Sequence, residues 1–306
     1  MPPKHLLTIT DLSGGDIDKI FSMARELKSA RAKTGKSLEA KTLALVFEKS
    51  SLRTRVSFDV AMRQLGGGTT YLSRQDIDLG QRESVRDVAT TLSRYVDAIA
   101  VRTFSHETVV KLAESSTVPV INALSDSYHP CQALTDLYTI LERRGRLRGM
   151  KVSFVGDGNN VARSLTLLCA RLGVTFHIAS PKGYELDGEF VGRVKTLGEG
   201  NSLVMATNPG EAVKGADVVY TDTWVSMGQE AEAEKRRRDF QGYRVDAAMV
   251  ALAKKDALVM HCLPAHRGEE ITDEVLDGPN SVVYDQAENR LHVQKAILKL
   301  LLAPHA

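Results

Sequence analysis

Short apolar runs alternate with stretches of helical spacing along almost the whole chain. TLALVF (Thr42–Phe47) is apolar but too short for a helix of ordinary length, which predicts a buried strand. AIAVR (98–102), VPVINAL (118–124), MKVSFVGD (150–157), VTFHIAS (174–180), DVVYTD (217–222), ALVMHC (257–262) and SVVYD (281–285) share that character and are predicted as strands as well. Between them, residues 16–31 place Ile17, Ile20, Phe21 and Leu27 on one side of a helix. Residues 53–65 read as an amphipathic helix closed by Gly66, Gly67 and Gly68. A long helical segment covers 131–144, and 288–302 is a final amphipathic helix with no strand after it. Strands buried on both faces and separated by helices imply an α/β chain with mostly parallel sheets. The pattern restarts near Leu147–Met150. Two α/β domains are therefore expected, residues 1–134 and 135–287, with helix 131–144 as the bridge and the last segment, 288–306, packing back on the first.

Composition narrows the classes. At 306 residues, 43% hydrophobic and 25% charged, the chain has material for more than one core. A formal net charge of +2 gives no global field favouring nucleic acid or a membrane, so neither partner is expected. The basic runs ERRGRLRGMK (142–151) and EKRRRDF (234–240) mix acid with base and read as solvated faces. No run of about 18 apolar residues suggests a membrane span. The first residues lack the apolar segment of a secretory signal and the amphipathic, Arg-rich character of a transit peptide. Cys131, Cys169 and Cys262 are odd in number and far apart, with no CxxC pair, so a disulfide frame is not expected and a reducing cytoplasm fits. There is no HExxH and no clustered His/Cys spacing, so neither a metal nor another cofactor is expected.

Ligands of open parallel sheets bind at the carboxyl ends of strands, and the informative residues follow strands. Directly after TLALVF come Ser51, Leu52, Arg53, Thr54 and Arg55. The free N–H groups and dipole of a helix start, a hydroxyl and a guanidinium fork together make a phosphate cradle. An N-capped helix with surface arginines has the same pattern, and Ser51–Arg55 alone leaves both readings open. Arg102 ends AIAVR, and after the next strand His129 and Gln132 flank a helix start with Pro130 at its first position. GDGNN (156–160) lacks the third glycine of a dinucleotide fingerprint, which excludes that reading. Cys169, among leucines, reads as core.

SLRTR, HPCQAL, DTWVSMG and HCLPAHRG, in this order and at these separations, resemble the ornithine carbamoyltransferases over nearly the whole chain. SxRTR and HPxQ mark the wider aspartate/ornithine carbamoyltransferase family; SMG with HCLP points to the ornithine branch. The resemblance implies two α/β domains, the first binding carbamoyl phosphate and the second L-ornithine, an active site in the cleft between them and a homotrimer. It places Ser51, Leu52, Arg53, Thr54, Arg102, His129, Gln132, Cys262, Leu263 and Arg290, at the start of the last helix, around carbamoyl phosphate. It places Asn160, Asp222, Ser226 and Met227 around ornithine. Arg53, Arg102, His129, Asp222 and Cys262 are the implied catalytic residues. Transfer of the carbamoyl group to the δ-amine would give L-citrulline and phosphate.

Two positions depart from the family pattern. Leu52 stands where threonine is usual and removes one hydroxyl; Asp78 stands where glutamine or histidine is usual and sets a carboxylate toward a phosphate. They keep open a relative that binds carbamoyl phosphate but has weakened turnover and a regulatory role. A carbamoyltransferase for another amine is the nearer alternative.

Overall fold

The computed structural model describes residues 4–30, 35–197 and 202–303. The chain divides into two compact units, Met1–Thr135 with Glu288–Ala306, and Asp136–Ala287. In chain order the elements are α1 (Gly14–Ser29), β1 (Thr42–Phe47), α2 (Leu52–Gln64), β2 (Gly68–Ser73), α3 (Arg74–Ile77), α4 (Val85–Leu92), β3 (Ala98–Arg102), α5 (His106–Ser115), β4 (Val120–Leu124) and α6 (Pro130–Arg144). There follow β5 (Lys151–Val155), α7 (Asn160–Leu172), β6 (Thr175–Ala179), α8 (Gly188–Lys195), β7 (Leu203–Ala206), α9 (Pro209–Val213) and β8 (Val218–Thr221). The last are α10 (Ala233–Asp239), α11 (Ala247–Val250), β9 (Leu258–His261), α12 (Asp273–Leu276) and α13 (Val283–Leu302).

The first unit holds an all-parallel sheet in the order β2-β1-β3-β4. Its central strand β1 buries Leu43 to Phe47, as a strand covered on both faces must. Val46, Ile99, Val101, Val109, Leu112 and Val120 form part of its core, each such side chain contributing about 1.5–3 kcal/mol of burial. The second unit holds another parallel sheet, β7-β6-β5-β8-β9, whose core includes Val155, Val219, Val259 and Ile271. Strand order reverses between β1 and β3 in one sheet and between β5 and β8 in the other. Such a reversal opens a crevice at the carboxyl ends of the two strands.

Sequence and structure differ in places with clear causes. SVVYD is not a strand: Ser281 makes one isolated parallel bridge to Val259, Val282 N–H donates to Val259 O at 3.0 Å, and α13 begins at Val283. A short apolar run does not distinguish a strand from a buried helix start. Arg290 therefore lies well inside the last helix, not at its start. Strand β2 was hidden by its leading glycines. Gly66 turns the chain at φ +89°, and a Cβ on Gly67 would lie 2.6 Å from Met62 Cε and 2.8 Å from Lys41 O, so glycine is needed for that approach. Strand β7 is an apolar run of only four residues, LVMA, and forms the sheet edge with Val204 and Met205 exposed. In EKRRRDF, Arg236 is not solvated. It is buried against Asp157 at 2.7 Å and Trp224 O at 3.0 Å.

Candidate active site

In the first unit, Phe47 and Arg102 are register partners at the carboxyl ends of β1 and β3, on the crevice the strand order creates. Ser51 caps α2: Thr54 N–H donates to Ser51 Oγ at 3.2 Å, which turns the chain from strand into helix. Leu52 opens the helix with its side chain 74% exposed. Arg53 is half-buried, and Thr54 is fully buried. Arg55 is drawn elsewhere, its guanidinium 3.8 Å from the Tyr71 ring centroid.

The second side of this pocket comes from the loop before α6. Asn122, fully buried, donates to Leu7 O at 2.9 Å and Tyr128 O at 3.3 Å and so fixes the loop that ends in His129. His129 O accepts the first helical bonds of α6, from Gln132 N and Ala133 N. Arg290 of α13 ties the two sides together: Nη1 donates to Gln132 Oε1 and Nη2 to Thr54 Oγ1, each at 2.9 Å. Arg102 and Arg290 are both over nine-tenths buried. Burial first, then Arg290 and Arg102, hold His129 well below the usual histidine value. The result is a buried cluster with two guanidinium groups at two helix starts, chemistry suited to a dianion.

In the second unit, Val155 and Thr221 are register partners at the ends of β5 and β8. Asp222 follows directly and is buried. Its Oδ2 accepts from Asn159 Nδ2 at 2.8 Å, and its Oδ1 accepts from Thr223 N–H at 2.9 Å and from Cys262 Sγ at 3.1 Å. Asn159 also caps α7, accepting from Val161 N–H and Ala162 N–H. Asn160 is the first residue of that helix. Ser226 N–H donates to Gln229 Oε1 at 3.0 Å, and Met227 is 45% exposed.

Cys262 and Leu263 leave β9 in a strained turn, with Leu263 at φ +57°. His261 holds it. Its Nδ1 accepts from Leu263 N–H at 2.9 Å, which requires the proton on Nε2, 3.1 Å from Glu270 Oε1. Asp222, His261 and Cys262 offer ligand atoms within 4.8 Å of one another, as do His266, Glu269 and Glu270. In the first group both ring nitrogens of His261 are already engaged, leaving it no lone pair for a metal.

The thiols separate by environment. Cys131 and Cys169 are fully buried; burial pushes Cys131 up to about 12 and raises Cys169 further. Cys262 alone among the three is half-exposed. Trp224 is buried and packs on Phe240, ring centroids 5.8 Å apart. Asp78 caps α3 in the left-handed region at φ +46°, with Arg74 Nε one helical turn back 3.6 Å from its carboxylate, so its charge is partly answered within its own element. Sequence reading missed Asn159 and Glu270. Asn159 carries a signal, an asparagine immediately before a helix, whereas Glu270 is joined to His261 only by the folding of the loop between them.

The structure thus brings Ser51, Thr54, Arg102, His129, Gln132 and Arg290 into one cluster of the first unit, and Asn160, Asp222 and Cys262 to adjoining strand ends of the second. Among the described residues no helix is long and apolar enough to cross a membrane. Two family profiles match: "Aspartate/ornithine carbamoyltransferase, carbamoyl-P binding domain" over residues 4–142, and "Aspartate/ornithine carbamoyltransferase, Asp/Orn binding domain" over 148–301. The chain is 55% identical over 301 residues to the ornithine carbamoyltransferase of Bacillus subtilis (strain 168), covering 98% of this chain and 94% of that one. The solved ornithine carbamoyltransferase from Pyrococcus furiosus aligns with TM-score 0.95 and 50% identity, covering 98% and 97% of the two chains. The anabolic ornithine carbamoyltransferase from Campylobacter jejuni aligns with TM-score 0.91 and 40% identity, covering 97% and 98%.

Proposed function

The chain belongs to the aspartate/ornithine carbamoyltransferase family, and on that premise we propose that it transfers the carbamoyl group of carbamoyl phosphate to the δ-amine of L-ornithine, giving L-citrulline and phosphate. The observation that carries this reading is the Asp222–Cys262 contact, 3.1 Å long, at the strand ends of the second unit.

Carbamoyl phosphate is assigned to the first unit. Ser51, Leu52, Arg53 and Thr54 receive its phosphate through the start of α2, and Arg102, His129, Gln132 and Arg290 surround its phosphate and carbonyl oxygens. Ornithine is assigned to the second unit. Asp222 pairs its α-ammonium, Asn160, Ser226 and Met227 border its α-carboxylate, and Cys262 and Leu263 border the reacting centre. The δ-amine is ordinarily protonated at neutral pH, as lysine is. Positive charge beside the amine and exclusion of water would favour the neutral, nucleophilic form. It attacks the carbonyl carbon, a tetrahedral centre forms, and phosphate leaves. Arg53, Arg102 and His129 stabilise the charge that grows on the carbonyl and leaving oxygens.

We further place the reaction in the direction of arginine synthesis, the protein in the cytoplasm and the assembly as a homotrimer. A relative titled anabolic supports the first, and free thiols support the second. Exposed Leu52 and Val56 on one turn of α2 are compatible with a partner subunit. The alternative, kept by the missing hydroxyl at Leu52 and the carboxylate of Asp78, is a carbamoyl phosphate binder with weakened turnover. A citrulline assay on purified protein separates the two. Citrulline formed from ornithine and carbamoyl phosphate supports the enzyme, and its absence overturns it. A panel of other amines, putrescine and aspartate included, tests the substrate.

A further inference from the structure

The contact between Cys262 and Asp222 joins the residues that directly follow two strands, β9 and β8, and something must hold the ends of those strands at one separation. Gln286, 1% exposed in the first turn of α13, makes that connection. Its Oε1 accepts from His261 N–H at 3.1 Å, the last residue of β9 and the neighbour of Cys262. Its Nε2 donates to Tyr220 Oη at 3.1 Å, and Tyr220 stands in β8 two residues before Asp222. The second proton of Nε2 goes to Asp136 Oδ1 at 2.7 Å, while Tyr220 Oη donates to Asp136 Oδ2 at 3.2 Å. Of the two ends of a side-chain amide only the oxygen can accept from a backbone N–H, so chemistry fixes which way the Gln286 amide points.

The clamp is rigid at its roots. The start of α13 is fastened to β9, since Val282 N–H donates to Val259 O at 3.0 Å and Val259 N–H to Asn280 O at 2.9 Å. The Tyr220 ring is stacked on Phe154, centroids 5.4 Å apart. Burial and the adjacent Asp136 raise Tyr220 well above the usual tyrosine value, so its hydroxyl remains a donor. Every donor of the Gln286 amide has an acceptor, which makes the network stiff rather than adaptable.

We propose that Gln286 is a positioning residue for carbamoyl transfer, fixing the ends of β8 and β9 so that Cys262 and Asp222 meet at the amine. This rests on the assignment of ornithine to Asp222 and Cys262. Misplacing a reacting group by about 1 Å can cost on the order of 100-fold in rate.

The test compares wild type with Gln286→Met, which keeps side-chain length and removes both polar atoms, and with the exchange Asp136→Asn/Gln286→Glu, which keeps one amide facing one carboxylate. Three quantities are read: kcat and KM for ornithine, affinity for inorganic phosphate by calorimetry, and the rate of iodoacetamide modification of Cys262 by intact mass. Cys131 and Cys169 are fully buried, so the native protein reports Cys262. Gln286→Met is expected to lower kcat about tenfold or more, leave phosphate affinity within about twofold, and change Cys262 modification several-fold. The exchange is expected to return the modification rate toward wild type. Wild-type kcat and modification rate in Gln286→Met would overturn the proposal, as would an equal loss of phosphate affinity. If wild type makes no citrulline, the functional assignment falls, while the Cys262 rates still decide whether Gln286 sets the geometry.

Discussion

The two units open their sheets in the same way and fill the openings with opposite chemistry. Each has a reversal of strand order, between β1 and β3 or between β5 and β8, with a helix starting from one of the strand ends beside it. In the first unit the surrounding side chains are Arg53, Arg102, His129 and Arg290, all cationic or able to become so. In the second they are Asp222, Cys262 and two asparagines. The backbone supplies an opening with helix dipoles, and the side chains decide what it accepts. The pockets are also held differently. Thr54 and Gln132 are tied by Arg290 from a distant part of the chain, whereas Asp222 is held mainly by groups on the neighbouring strand and helix ends.

This contrast can be broken one unit at a time. The largest effect is expected from Arg290→Met, which removes two charge-assisted bonds inside a buried pocket. Phosphate affinity measured by calorimetry should fall by about 3 kcal/mol or more, on the order of 100-fold. Retained affinity would remove Arg290 from the ligand. Arg53→Ala, at a half-buried position, should lose about 1.5–3 kcal/mol in the same titration. Cys262→Ser should do the reverse, reducing kcat/KM for ornithine about tenfold or more while phosphate affinity stays within about twofold. Equal loss of both would blur the division of labour between the units.

The smallest effect concerns protons. Folding lowers the His129 pKa, chiefly by burial. Between its folded value and the ordinary 6.5, the unfolded chain binds a proton that the folded one does not. This contribution to stability is complete above 6.5 and is lost as pH falls toward the folded value. His129→Gln should therefore show a shallower decline in unfolding free energy below 6.5 than wild type in ligand-free protein. His5, His177 and His292 are also lowered and leave part of the slope in both proteins. Identical slopes would mean that His129 is not neutral by burial.

How much of this was legible in the sequence depended on distance along the chain. Strand β1, the Ser51 cap and the helix that starts at Pro130 are written in neighbouring residues, and local spacing found them. Both parallel sheets follow from apolar runs separated by helices. The half-buried β2, with its threonines and leading glycines, offered no such run. The partners of Arg290 could not be read from spacing, because Thr54 and Gln132 meet it only through tertiary packing. Its place in the pocket came from resemblance. Leu52 was legible as a departure, but that its side chain turns to solvent required coordinates.

The return of α13 to the first unit has a consequence for biosynthesis. Besides Arg290, this segment brings Asn289 to Lys28 at 2.8 Å and Lys295 to Leu27 O and Gln64 Oε1 at 3.2 and 3.0 Å. A nascent chain leaving the ribosome has made β1 to β4 long before these partners exist. The first unit to be translated is thus the last to be finished, since Thr54 and Gln132 lack Arg290 until the whole second unit has emerged.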